Sequence, residues 1–136
     1  MRPDVDVLHL VGLPFEEAGD VDDGAADCAG IVRAVLRENG RERAAAMIAK
    51  HPLEAIEVAK RLEAGEEPGW LRVGSTSQDA TELLDILVGP GRDWLHVAIV
   101  VHLRPKMVVT SFHGRGCCLH PIQRFRHCRS VLRPLP

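Results

Sequence analysis

At 136 residues, with 46% apolar and 26% charged side chains, the chain has the length and composition of one globular domain able to bury a core without metals or a disulfide framework. Disorder does not fit that composition, and no apolar run approaches the roughly 18 to 20 residues that span a bilayer. The net charge of −2 is unevenly spread: residues 1 to 93 hold all 19 carboxylates and ten basic side chains, whereas residues 94 to 136 hold seven basic side chains and no carboxylate. That predicts a basic surface suited to an anionic partner, whether an acidic peptide, a nucleic acid or the chain's own acidic half.

The opening "MRPDVDVLHLVGLPFEEAGD" lacks the basic start and long apolar stretch of a signal peptide, so export by the chain's own sequence is not expected. A loop rich in Gly, Asp and Ala, "EEAGDVDDGAAD", then leads into a helix predicted from Cys28 to about residue 38. Ile31, Val32, Val35 and Leu36 share one face of it and Arg33, Arg37 and Glu38 the other; Asp27 can cap its start and Gly40 can stop it. Residues 41 to 64 read as two further helices, "RERAAAMIAK" and "PLEAIEVAKRLEAG", the second opening at Pro52 and closing at Gly65, which makes a helical insertion of about 41 to 65. From residue 69 the pattern turns to β-type runs, "GWLRV", "LLDILVG", "WLHVAIVV", "KMVVTSF" and "SVLRPL". Helices first and strands second predict an α+β fold with an antiparallel sheet, in one domain spanning residues 1–136.

Cys28 falls at a helix N-terminus, where unpaired amides and the positive end of the helix dipole stabilise a thiolate. Ala26, Ala29 and Gly30 leave room around it, and first-turn amides could also receive an oxyanion. The opposing reading is a small apolar residue in a core, since free cysteine is among the most buried residue types. His96 stands in the run "WLHVAIVV", sharing a strand face with Ala98 and Val100 while Leu95, Val97 and Ile99 face the other way. A Cys on a helix N-terminus followed by a His on a strand is the order in which a thiolate–imidazolium pair forms. His102 is a poorer base, six residues further along the same strand and so roughly 20 Å away.

The segments "LVGLPFEEAGDVDDGAADCAGIVRAVLRENG", "LLDILVGPGRDWLHVAIVV", "VVTSFHGRGCCLHPIQRF" and "RSVLRPL" resemble the NlpC family of papain-like cysteine peptidases, especially its phage-tail-associated branch. The resemblance implies a papain-like fold, Cys28 as nucleophile, His96 as general base and Asp27 with the first-turn backbone as support. It also implies a peptidoglycan stem peptide as substrate, cleavage of an amide bond, no cofactor and no metal. Phage-tail or prophage proteins are the implied partners, with the protein cytoplasmic as synthesised or associated with a virion. Two positions depart from the family pattern: Phe15 stands where a Tyr is frequent, and the third polar residue is displaced. Alignment through the following glycines favours Thr110, whereas chemistry favours His113, because a third group must orient the far imidazole nitrogen. Arg115 and Arg124 are the candidates to meet substrate carboxylates. A thiol acyltransferase or deamidase, or an inactive assembly protein, would keep the same scaffold.

Rival clusters are weaker. Cys117, Cys118, His120, His127 and Cys128 supply zinc-ligand types, but their spacing does not match paired knuckles, and an adjacent Cys117–Cys118 bridge would be strained, so reduced thiols are expected. Arg115, Arg124, Arg126, Arg129 and Arg133 lack the interleaved aromatics of a nucleic-acid surface. "GPGRD" and "GRGC" lack the Lys-Ser or Lys-Thr of a phosphate loop, and Asp22-Asp23 and Glu66-Glu67 sit in polar loops as solvated pairs.

Overall fold

A computed structural model describes residues 4–48, 70–91 and 95–136. Helix α1 spans Cys28–Glu38, the bounds its apolar spacing predicts. Asp27 caps it, Oδ1 accepting the Gly30 amide at 2.8 Å. At the other end Gly40 adopts φ 77°, which lets the Arg41 amide turn back to the Leu36 carbonyl at 2.8 Å and satisfy one of the orphaned last carbonyls.

Arg33 departs from its predicted solvent-facing position. Helix α2, Glu42–Met47, folds back against α1 and leaves Arg33 only 4% exposed. Its Nη1 donates to the Ile48 carbonyl at 3.2 Å and its Nη2 lies 3.6 Å from the Asp20 carboxylate, so its charge is paired where it is buried. The second helix predicted in the 41–65 insertion lies outside the described residues. No helix among the described residues is long and apolar enough to cross a membrane.

Six strands follow: β1 Trp70–Gly74, β2 Ile86–Pro90, β3 Leu95–Leu103, β4 Lys106–Phe112, β5 Gly116–Pro121 and β6 Ser130–Pro134. They form one antiparallel sheet in the order β1-β6-β2-β3-β4-β5. Period-two alternation gives the sheet two apolar faces. Val97, Ile99 and Val101 pack with Ile31, Val32 and Val35 of α1, while Ala98 and Val100 pack with Leu87, Val108 and Phe125 on the far side. Each aliphatic side chain fully buried this way contributes about 1.5–3 kcal/mol, enough to hold a single helix on the sheet without a bridge.

Polar ties close the remaining gaps. Asp85, fully buried before β2, accepts from the backbone amides of Thr81 and Glu82 and from Arg133 of β6 through both oxygens. The β3–β4 register shifts at Val101, and its carbonyl is taken by the Val5 amide at 3.0 Å. On the sheet edge, Cys117 donates its amide to Leu13 and accepts from Gly12. Gly116 is required beside it, at φ 79°, because a Cβ there would stand 2.3 Å from the Leu13 carbonyl oxygen.

Candidate active site

Cys28 is the first residue of α1 and packs against the cluster formed by that helix and the inner face of β3. The Gly30 amide is engaged by Asp27 and the Ile31 amide by the Asp27 carbonyl, which leaves the first-turn amides of Cys28 and Ala29 at the thiol. Asp27 is itself spoken for: Oδ1 holds Gly30 and Oδ2 holds the Ala18 amide at 2.9 Å, so the carboxylate locks the preceding loop onto the helix start. The small size of Gly30 serves that same loop. A Cβ at Gly30 would lie 2.4 Å from the Gly19 carbonyl oxygen, so the space goes to the protein's own backbone and not to a substrate.

The thiol is not a resting thiolate. Burial pushes Cys28 up to about 11, and hydrogen bonding from Val97, Ala29 and its own amide offsets only part of that, with Asp27's charge acting against it. His96 is displaced the other way, to about 4, chiefly by burial and secondarily by the nearby imidazole of His120. Where the helix dipole predicts a charged pair, burial favours the neutral form of each group, since its cost exceeds what the hydrogen bonds to the thiol return.

Of the two candidates for a third position, Thr110 is the one that hydrogen-bonds to His96. Thr110 Oγ1 lies 2.6 Å from the Val97 carbonyl and 3.3 Å from His96 Nε2. A hydroxyl has one proton, and the carbonyl can only accept it; toward His96 the same oxygen must therefore accept, which makes Nε2 the protonated nitrogen. His96 Nδ1 is left with its lone pair, the form a general base needs. Ile99 pairs with Val109 across β3 and β4, and Thr110, the next residue of β4, pairs with Cys118 on its other side. No hydrogen bond joins Cys28 Sγ to the His96 ring; the two meet through Val97, whose backbone touches the thiol on one side and Thr110 on the other.

His113 sits elsewhere, in the exposed turn after β4, with its ring edge-on to Phe15 at 5.3 Å. That contact joins the loop before α1 to the β4–β5 turn. Arg115 and Arg124 are exposed; burial raises the Cys118 thiol above its ordinary value, and their charges offset part of that rise. Cys117 is buried in the α1 face and raised to about 12, and Cys128 donates to the Ser130 carbonyl. Among the described residues all four cysteines are free thiols and no group of three His, Cys, Asp or Glu is placed to hold a metal ion. His102, at the far end of β3, lies 3.2 Å from the Asp4 carboxylate.

Sequence reasoning passes over the surroundings of His96. Phe112 and Phe125 stack on it at centroid distances of 4.9 and 5.5 Å, and Gly89 faces it across the β2–β3 pair. The available signal was a glycine inside the β2 run, which marks a close approach in a strand.

No protein-family model matches the chain, and no curated protein matches it. Among solved structures it is similar to the NlpC/p60 domain of the peptidoglycan hydrolase SagA, with a TM-score of 0.58 and 20% identity, over 92% of this chain and 90% of that one. The chain therefore has the papain-like α+β fold of NlpC type, a helix opening on Cys28 laid against an antiparallel sheet that carries His96 and Thr110.

Proposed function

We propose that the protein is a thiol peptidase or amidase that cleaves amide bonds in peptidoglycan stem peptides through acylation of Cys28. The observation that carries this reading is the hydrogen bond of Thr110 to His96 Nε2, which leaves Nδ1 as a base on the strand the Cys28 thiol touches. Similarity to a domain of a peptidoglycan hydrolase supports the substrate class. As sulfur attacks the carbonyl carbon, the thiol proton passes to Nδ1 and the amides of Cys28 and Ala29 receive the oxyanion. Collapse breaks the C–N bond, with the proton delivered to the leaving amine. Water, deprotonated by the same nitrogen, then hydrolyses the thioester and regenerates the thiol. Because both groups rest neutral, the proton moves as the S–C bond forms. Arg115 and Arg124 would meet the carboxylates of an acidic stem peptide.

Incubation with purified muropeptides, followed by mass spectrometry of product and protein, tests this. New amino termini together with an acyl adduct on Cys28, both lost in Cys28→Ala and His96→Ala, are expected. Product formation equal in wild type and Cys28→Ala would refute the reading.

A second reading has its own observation. A thiol raised to about 11 and an imidazole lowered to about 4, with no hydrogen bond between them, suit a protein that keeps the scaffold without the chemistry, such as a phage-tail or prophage assembly component, cytoplasmic as synthesised or carried on the virion. A thiol acyltransferase or deamidase uses the same first step; the former is marked by an added amine in the product and the latter by release of ammonia without chain cleavage.

A further inference from the structure

We propose that Phe125 and Phe112 are positioning residues for His96, holding the imidazole between their rings so that Nε2 stays on Thr110 and Nδ1 stays open as the base. This rests on the reading of His96 as a general base and adds to it the device that orients the ring. His96 pairs with Gly89 across β2 and β3, so no side chain stands beside it on that flank. Phe125, reached through the short 3-10 turn Ile122–Arg124, occupies the vacancy: a Cβ at Gly89 would lie 3.1 Å from its Cε1 and 3.0 Å from the His127 carbonyl oxygen. From there its ring stacks on the imidazole at 5.5 Å with 18° between planes. On the opposite flank β4 supplies Phe112, at 4.9 Å and 24°.

Phe112 is given its freedom in the same way, because its own partner on β5 is Gly116. It leans toward His120, with the ring centroids 5.6 Å apart. Two glycines thus open the sheet surface for a row of rings, Phe125, His96, Phe112 and His120. A five-membered ring between two phenyl faces cannot rotate about χ2 without displacing one of them, so the exchange of Nδ1 for Nε2 at Thr110 is blocked by packing. The same faces keep water from the imidazole, and they present π density to the cation formed when it takes a proton. The one titratable group whose charge acts on His96 among the described residues is His120, whose Nε2 is buried without a partner; the Cys28 thiol of α1 is neutral at rest.

The test is an NMR titration of labelled imidazoles in the intact protein, comparing wild type with Phe125→Leu, Phe125→Tyr and Gly89→Ala. In wild type His96 should carry its proton on Nε2 at neutral pH and titrate well below the ordinary histidine range. Phe125→Leu admits water to one face and should raise the midpoint by about one pH unit or more, with both tautomers present. Phe125→Tyr should restore the wild-type pattern, and Gly89→Ala, which pushes the ring aside while keeping every aromatic residue, should reproduce the Leu variant. An unchanged midpoint and tautomer in folded Phe125→Leu overturns the proposal, and Gly89→Ala decides in the same terms where the Leu variant does not fold. The readout is the imidazole and not turnover, so an inactive wild type would count against the peptidase reading while this test still stands.

Discussion

Thr110 meets His96 Nε2 only as a hydrogen-bond acceptor, because its single hydroxyl proton is given to the Val97 carbonyl 2.6 Å away. A threonine can thus do what a carboxylate or amide oxygen does for an imidazole, provided a backbone carbonyl holds its proton. Thr110→Val keeps the shape and removes the acceptor. It should lower kcat for peptide hydrolysis roughly 10²-fold with little change in KM, while Thr110→Ser retains most activity. Equal rates in the Val variant would show that His96 needs no third group.

Alkylation reads the thiol directly. With Cys28 raised to about 11, its modification by iodoacetamide should be slow at neutral pH and climb about tenfold per pH unit up to pH 10, ahead of Cys117 at about 12. His96→Ala should leave that profile unaltered in the absence of substrate. Peptide mass spectrometry at each pH distinguishes this from a plateau near pH 6, which would mark a preformed ion pair.

His96 also links stability to pH. Its folded-state value, about 4, lies below the ordinary 6.5, so between those two values the unfolded chain binds a proton that the folded chain refuses. Stability should therefore fall as pH drops from 6.5 toward 4, with a slope of up to about 1.4 kcal/mol per pH unit from this group, and it should be unaffected by His96 above 6.5. Urea denaturation of wild type and His96→Phe across that range measures it; parallel curves would mean that His96 ionises normally in the fold.

Asp85 is the buried tie between β2 and β6. Asp85→Ala strips Arg133 of its bidentate partner and leaves the Thr81 and Glu82 amides unsatisfied, an expected loss of about 3–5 kcal/mol in chemical denaturation. A loss under about 1 kcal/mol would place this pair with ordinary surface bridges.

Charge reversal separates binding from chemistry. Arg115→Glu and Arg124→Glu should raise KM for an acidic stem peptide several-fold and leave kcat in place, an effect that shrinks with added salt. Unchanged KM in both would restrict these arginines to their effect on Cys118.

Much of the frame was legible because it rests on local periodicity. The bounds of α1 follow from apolar spacing, an Asp and a Gly, and β4 falls on the run Lys106–Phe112 that alternation predicts. Arg33 was misplaced because α2 covers it, and a covering helix is a tertiary fact. The charged Cys28–His96 pair was inferred from a helix dipole, which is local, whereas the burial that overrides it comes from the whole sheet. His113 was favoured over Thr110 in sequence because imidazole is the stronger partner for a histidine, but the chain turns after Phe112 and carries His113 away to Phe15, leaving Thr110 at His96. Phe125 was invisible for the same kind of reason: its contact with His96 depends on the register that sets Gly89 opposite.

The amides of Val5 and Gly12 and the carbonyl of Leu13 find their partners at Val101 and Cys117, about a hundred residues later in the chain. During synthesis the stretch bearing Cys28 leaves the ribosome with nothing to lie on, and its strap cannot fasten until β5 has been made. On the reading of Cys28 as nucleophile and His96 as base, assembly order acts as a safety catch: a nascent chain that ends before β3 carries the thiol without the imidazole that would take its proton.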